Sequence, residues 1–248
     1  MARIRHLSKA PVREALIDIR FESLVPIEVI QQVVDRLTGK FEKASPIWEA
    51  MFGLNIGADG KHETSTNQSA LGMRLDSTNP PHVVQYRTNG LTFSRLPPYS
   101  RWEELRDAAR DAWAALVDAA SPFVVTRVAV RYINEIVLPL PLVDFAVYLE
   151  SPPIVPVGLP QGISAFLQRV VIPDDKLKCV SIITQALEDQ SLIANDSVTV
   201  VLDVDVFRQV NIESGSSDAI WAVLEELRTQ KNKMFFGHIT EKTAETYE

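Results

Sequence analysis

Two stretches of this chain are written alike. From Glu14 to Pro26 it reads EALIDIRFESLVP, and from Thr126 to Pro139 it reads TRVAVRYINEIVLP. Each alternates apolar with polar or charged residues, carries an Arg before an aromatic, and runs out at a Val-Pro or Leu-Pro step. Alternation of this kind marks a strand with one buried face. A strand written twice in this way reads as the opening strand of each of two similar units.

The segments after these strands are also similar. After the first, PIEVIQQVVDRLTGKFEK sets Ile27, Ile30, Val33, Val34, Leu37 and Phe41 at helical spacing. Three strand-like runs come next, IWEAMFGLNIG, SALGMRLDS and HVVQYRTNGLTFSRL, divided by the turn-rich ADGKHETSTNQ and TNPP. The third run bends at Asn89-Gly90. A long helix comes after it, with Ser100 as N-cap and Glu103 completing a capping box. Its buried stripe is Trp102, Leu105, Ala109, Ala112, Trp113 and Leu116, and it ends near Ser121-Pro122.

The second half repeats that order. Its opening strand leads to the short helical segment LVDFAVYLE and the Pro-rich SPPIVPVGLPQG. Strands SAFLQRVVI, KCVSIITQALE and SVTVVLDVDVF are joined by PDDK and DQSLIAND. A long helix begins near Ser217 and turns Ile220, Val223, Leu224 and Leu227 inward. The order implies an α+β fold of two pseudo-repeated β-α-β(3-4)-α units, with a largely antiparallel sheet and the long helices on one face. The units are residues 1–125 and 126–248, in one compact pseudo-twofold body; the alternative is two unrelated α+β halves. In element order the chain resembles the duplicated fold of the TATA-box-binding protein, although no nucleic-acid-contacting residue of that protein matches here.

Composition narrows the function classes. No run of 18 apolar residues is present, and the basic N-terminus MARIRHLSKAPV lacks the apolar core of a secretory signal. Cys179 is the one cysteine, so neither an intramolecular disulfide nor a cysteine zinc site is available. The expected location is a reducing cytoplasm. The net charge of −7 is lopsided: residues 1–125 hold 15 Lys and Arg against 15 Asp and Glu, and residues 126–248 hold 10 against 17. An acidic second half suits a protein partner with a basic surface, or simply solubility, and disfavours phosphate tracking and hence nucleic acid.

Few residues invite chemistry. Arg20 and Arg131 fall on the polar faces of the twin strands, Arg20 with Asp18 and Glu22, Arg131 with Arg127 and Glu135. Such faces form salt-bridge ladders, or else present a pair of ligand-facing arginines. Asn134 falls on the core face beside Val128, Val130, Tyr132, Ile136 and Leu138, where a buried amide needs partners. Asp203 and Asp205 share one face of VLDVDVF, either as a solvated face or as a carboxylate pair for acid–base work. No metal-ligand spacing accompanies them, and no cofactor is expected. The four histidines are scattered, and there is no GxSxG, P-loop or GxGxxG among only 10 glycines. Arg228, Lys231 and Lys233 read as charges at a helix C-terminus, with Phe235 and Phe236 sealing the core behind them or forming a docking patch.

Three landmarks, PVREALIDIRF, RVAVRYIN and LRTQKNKMFFGHITEK, resemble those of a sporadically distributed prokaryotic protein family with no assigned activity. The resemblance implies mobile cargo of the defence or toxin–antitoxin type and transfers no catalytic residue. The expected function is therefore a non-catalytic interaction or regulatory protein, the neutralising or sensing partner in such an operon. The alternatives are an enzyme on the open sheet face built from Arg131, Asp203 and Asp205, and a nucleic-acid-binding saddle.

Overall fold

A computed structural model describes residues 1–37, 39–56, 62–120, 122–142, 144–187 and 196–248. The elements run β1 (Val12–Phe21), α1 (Ile27–Leu37), β2 (Lys43–Ile56), β3 (His62–Thr78), β4 (Pro81–Arg87), β5 (Gly90–Arg95) and α2 (Trp102–Ala120). They continue with β6 (Val124–Pro139), a 3-10 turn at Phe145–Val147, β7 (Phe166–Asp174), β8 (Cys179–Leu187), β9 (Ser197–Glu213), α3 (Ser217–His238) and α4 (Glu241–Glu245). All nine strands form one sheet in the order β2-β3-β4-β5-β1-β6-β9-β8-β7, every pair antiparallel.

The twin strands are the two neighbours at its centre. Ile17 lies opposite Val130, Asp18 opposite Ala129 and Arg20 opposite Arg127. One face of the pair is apolar except for Asn134: Ile17, Ile19, Val128 and Val130 are fully buried, with Phe21 and Tyr132 nearly so. These side chains join a single hydrophobic cluster that takes residues from both halves of the chain and from α1, α2 and α3. α2 packs on β1 and β5, while α3 packs on β6, β8 and β9. The six residues of the α2 stripe are all buried, and α2 ends at Ala120, before Pro122 (Ser121 lies outside the described residues).

Several local expectations change. HETSTNQ is strand: it extends β3 along β2 from the Ile56–His62 pair to Lys43–Asp76, because cross-strand pairing overrides its polar composition. The ADGK before it, and DQSLIAN before Asp196, lie outside the described residues. The bend at Asn89-Gly90 is a hairpin turn, Arg87 pairing with Gly90. Ser100 does not cap α2; its hydroxyl donates to the Glu104 carboxylate instead, and the helix starts at Trp102. LVDFAVYLE shortens to one 3-10 turn, capped by the Asp144 carboxylate accepting from the Ala146 N–H. α3 runs five residues beyond Lys233, so Arg228, Lys231 and Lys233 sit within the helix and not at its C-terminus. Of its inward residues Ile220, Leu224 and Leu227 are buried and Val223 is partly so.

Candidate functional site

The open face of the sheet gathers the outward side chains of β1, β5, β6 and β9. At its centre Asp18, only 6% exposed, is a carboxylate ringed by donors. Arg20 donates from Nε at 3.0 Å, Arg127 from Nη1 at 3.0 Å and Thr92 from its hydroxyl at 2.8 Å. Gly90, opposite Arg20, makes room for this: a Cβ there would stand 2.7 Å from Arg20 Cδ. Arg127 stacks over the Phe207 ring at 4.4 Å and extends to Asp205 at 3.5 Å.

Arg131 lies directly across the ladder from Asp205, yet its guanidinium reaches diagonally to Asp203. That leaves Asp205 Oδ1 buried without a hydrogen bond. Burial pushes the Asp205 carboxyl up, against the opposing pull of Arg127 and Arg131. Nearby, Arg87 Nε is also buried and unbonded, while Arg87 Nη2 donates to Gln85 at 2.7 Å. Arg20, Arg87, Arg127, Arg131, Asp18 and Asp205 line a shallow cavity of about 340 Å³. Its other polar groups are Glu14, Gln85, Thr92 and Ser94.

The remaining sequence candidates lie on the other side of the sheet. Asn134 is buried, and its amide donates to the carbonyls of Tyr132 at 3.2 Å and Leu202 at 2.9 Å. Phe235 and Phe236 are in the core, rings edge-on at 5.2 Å, so they form no exposed docking patch. All three line a second cavity, of about 320 Å³, between the N-terminal segment, β6 and α3. The structure thus divides the seven candidates: Arg20, Arg131, Asp203 and Asp205 on the open face, Asn134, Phe235 and Phe236 behind it. Cys179 is buried and its thiol is pushed up by burial, as suits a small packing residue.

Sequence reasoning missed Asp18 as the hub of the open face, and took Lys231 for an end-of-helix charge. Lys231 is 8% exposed, its ammonium 3.5 Å from the centroid of the Tyr132 ring. The signal was present: Ile220, Leu224, Leu227, Lys231 and Phe235 succeed one another at three- and four-residue steps, so Lys231 falls on the buried stripe of α3. Among the described residues, no three His, Cys, Asp or Glu side chains gather where a metal ion could be held, and no helix is long and apolar enough to cross a membrane. No protein-family model matches the chain, and no curated protein matches it significantly.

Proposed function

We propose that this chain is a non-catalytic protein-binding module whose partner adds an extended segment to the β2 edge of the sheet. One observation carries the reading. β2 is a 14-residue outer strand on which Trp48, Met51 and Phe52 are 61%, 60% and 80% exposed. Edge strands are ordinarily blunted by charge or proline. Here Lys43, Pro46 and Glu49 protect the first half of β2, while Ala50–Ile56, AMFGLNI, has neither. A backbone that no other described strand pairs, with exposed apolar side chains, suits strand addition, where main-chain bonds give affinity and side-chain pockets give choice. The opposite edge, β7, likewise exposes Leu167, Val170 and Val171.

The acidic second half favours a basic partner surface over nucleic acid. We take residues 1–125 and 126–248 as copies of one unit, since β1 and β6 are central neighbours flanked by β5 and β9, the last strand of each half. The neutralising or sensing role in a defence or toxin–antitoxin operon rests on the sequence resemblance alone.

A second reading is favoured by the unbonded oxygen and raised carboxyl of Asp205, which suit a general acid on the open face. Affinity capture from the native host separates the two. Capture of the same protein by wild type and by Asp205→Asn, but not by Phe52→Lys, supports the edge. Capture by Phe52→Lys as well overturns it. If the wild-type chain self-associates through β2, sedimentation will show it, and the partner is a second copy. Submicromolar duplex DNA binding at about 0.15 M salt would instead favour the saddle.

A further inference from the structure

The cavity behind the sheet holds one buried cation, Lys231, that no carboxylate of the described residues pairs, and a buried guanidinium nitrogen of Arg5 without a hydrogen bond. Lys231 is nine-tenths buried and, among the described residues, takes part in no hydrogen bond or ion pair; its ammonium faces the Tyr132 ring. Arg5, from the N-terminal segment on the opposite wall, spends Nε on Glu248 and Nη1 on Glu241 and the Arg3 carbonyl. Its Nη2 is buried with no partner. Arg228, one turn before Lys231, stands 3.7 Å from both Glu103 and Glu225, too far for a strong hydrogen bond.

Burying a cation without a counter-charge is costly, and a fold that retains one normally supplies an anion. Of the described residues lining the cavity, Glu103 alone is acidic, against Arg5, Arg101, Arg228 and Lys231. Arg5 is paired with Glu241 and Glu248, Arg101 with Glu104 and Arg228 loosely with Glu103 and Glu225, which leaves Lys231 as the cation without an ion pair. The ring of Tyr132 offsets only part of the cost. Burial, assisted by Arg228, draws the Lys231 ammonium down to about 7, so its charge is not met by the surrounding protein. The rest of the wall mixes apolar and aromatic groups, Leu7, Trp102, Phe235 and Phe236 among them, with the polar His6, Ser100, Asn134 and Asn232, and the Tyr99 and Tyr132 hydroxyls are hydrogen-bonded to each other at 2.8 Å. At about 320 Å³ the space is at the lower end of small-molecule sites.

We propose that this cavity binds a small organic anion, a carboxylate or phosphate group on an apolar body, with Lys231 and Arg5 receiving the charge. The site is independent of the β2 edge and stands whether or not a partner docks there.

Calorimetric titration of the full chain with benzoate, phenyl phosphate and the neutral analogue benzyl alcohol tests it. At least one anion should bind with Kd of about 1 mM or tighter, and benzyl alcohol should bind at least ~10-fold more weakly. Which anion binds distinguishes carboxylate from phosphate. Lys231→Met, which keeps the apolar stem, should weaken the anion at least ~10-fold and leave benzyl alcohol unchanged. Arg5→Gln should act in the same direction, and decides the matter if Lys231→Met fails to fold. Absence of binding by both anions, equal binding of the neutral analogue, or anion binding untouched by a folded variant overturns the proposal.

Discussion

Arg131 bypasses the carboxylate directly opposite it, Asp205, and clamps Asp203 with two prongs, Nε to Oδ1 at 2.9 Å and Nη2 to Oδ2 at 2.6 Å. The diagonal choice divides the charges of the open face into two sets. Arg20 and Arg127 share Asp18, Arg127 touches Asp205, and Arg131 takes Asp203. A planar guanidinium matches a carboxylate in a way a lysine cannot.

Arg131→Ala should therefore destabilise the protein by about 1 kcal/mol, since the Arg131 side chain is 42% exposed and solvent screens the pair. Arg131→Lys should recover less than half of that loss, because it cannot form the two-pronged contact. Urea unfolding midpoints of the three proteins check both statements. A variant that fails to fold would show that the face depends on this clamp far more than an exposed ion pair allows.

The open face was largely legible from the sequence because strand alternation fixes which side each residue takes, whatever the pairing. Arg20, Arg131, Asp203 and Asp205 all lie where period two puts them. What alternation cannot supply is lateral register, so the Asp18 hub, shared between Arg20 on its own strand and Arg127 on the next, was out of reach. Lys231 was lost for a different reason. A basic residue late in a helix reads as a dipole-offsetting charge unless the apolar stripe is followed past it, from Ile220 to Phe235, along a helix that runs through His238. The polar β3 extension was missed because HETSTNQ has little strand propensity of its own and is held by pairing with β2.

His82 should behave as an acid-sensitive element of the first half. Burial, with Arg95 beside it, draws its imidazole down to about 4, and Arg95 Nη1 lies 3.0 Å from Nε2. An arginine can only donate, so Nε2 accepts and the ring is neutral. The folded pKa lies below the ordinary 6.5, so the unfolded chain binds the extra proton first. The stability held by the neutral ring is fully present above 6.5 and is lost as the pH falls toward 4. An NMR titration of His82 should show its midpoint near 4, and His82→Gln should flatten the stability profile between those values. A midpoint near 6.5 would contradict the packing of the ring against Phe93.

Lys231 carries the same linkage at higher pH. Its folded pKa of about 7 lies below the ordinary 10.5, so between these values the unfolded chain holds more protons. Stability should rise with pH across that window, by at most about 1.4 kcal/mol per pH unit, and level off above it. Lys231→Met should abolish the rise and should be the more stable protein at the low end of the window, where the wild-type cation is buried without a counter-ion. Unfolding free energies measured for both proteins at each end of the window test this. Equal slopes would mean that the ammonium is compensated in the folded chain.

Gly72 should be the least replaceable residue of the first hairpin. It lies at the irregularity where Ile47 and Trp48 change register against β3, and opposite Arg87 of β4. A Cβ built there would stand 2.0 Å from the Tyr86 carbonyl oxygen and 2.8 Å from Arg87 Cα. Both obstacles are backbone, so no rotamer change relieves them; the strand itself must move. Tyr86 is fully buried and donates its hydroxyl to the Ala112 carbonyl at 2.9 Å, which ties any shift of β4 to α2. Gly72→Ala should then cost about 1–3 kcal/mol, the range of an overpacked core, although it adds a single methyl group. Gly53→Ala, on the exposed part of the same hairpin, meets chiefly the Ser65 hydroxyl, a side-chain atom that can rotate away. Thermal unfolding should show a clear loss for Gly72→Ala and little change for Gly53→Ala; comparable losses at both positions would overturn the close-approach argument.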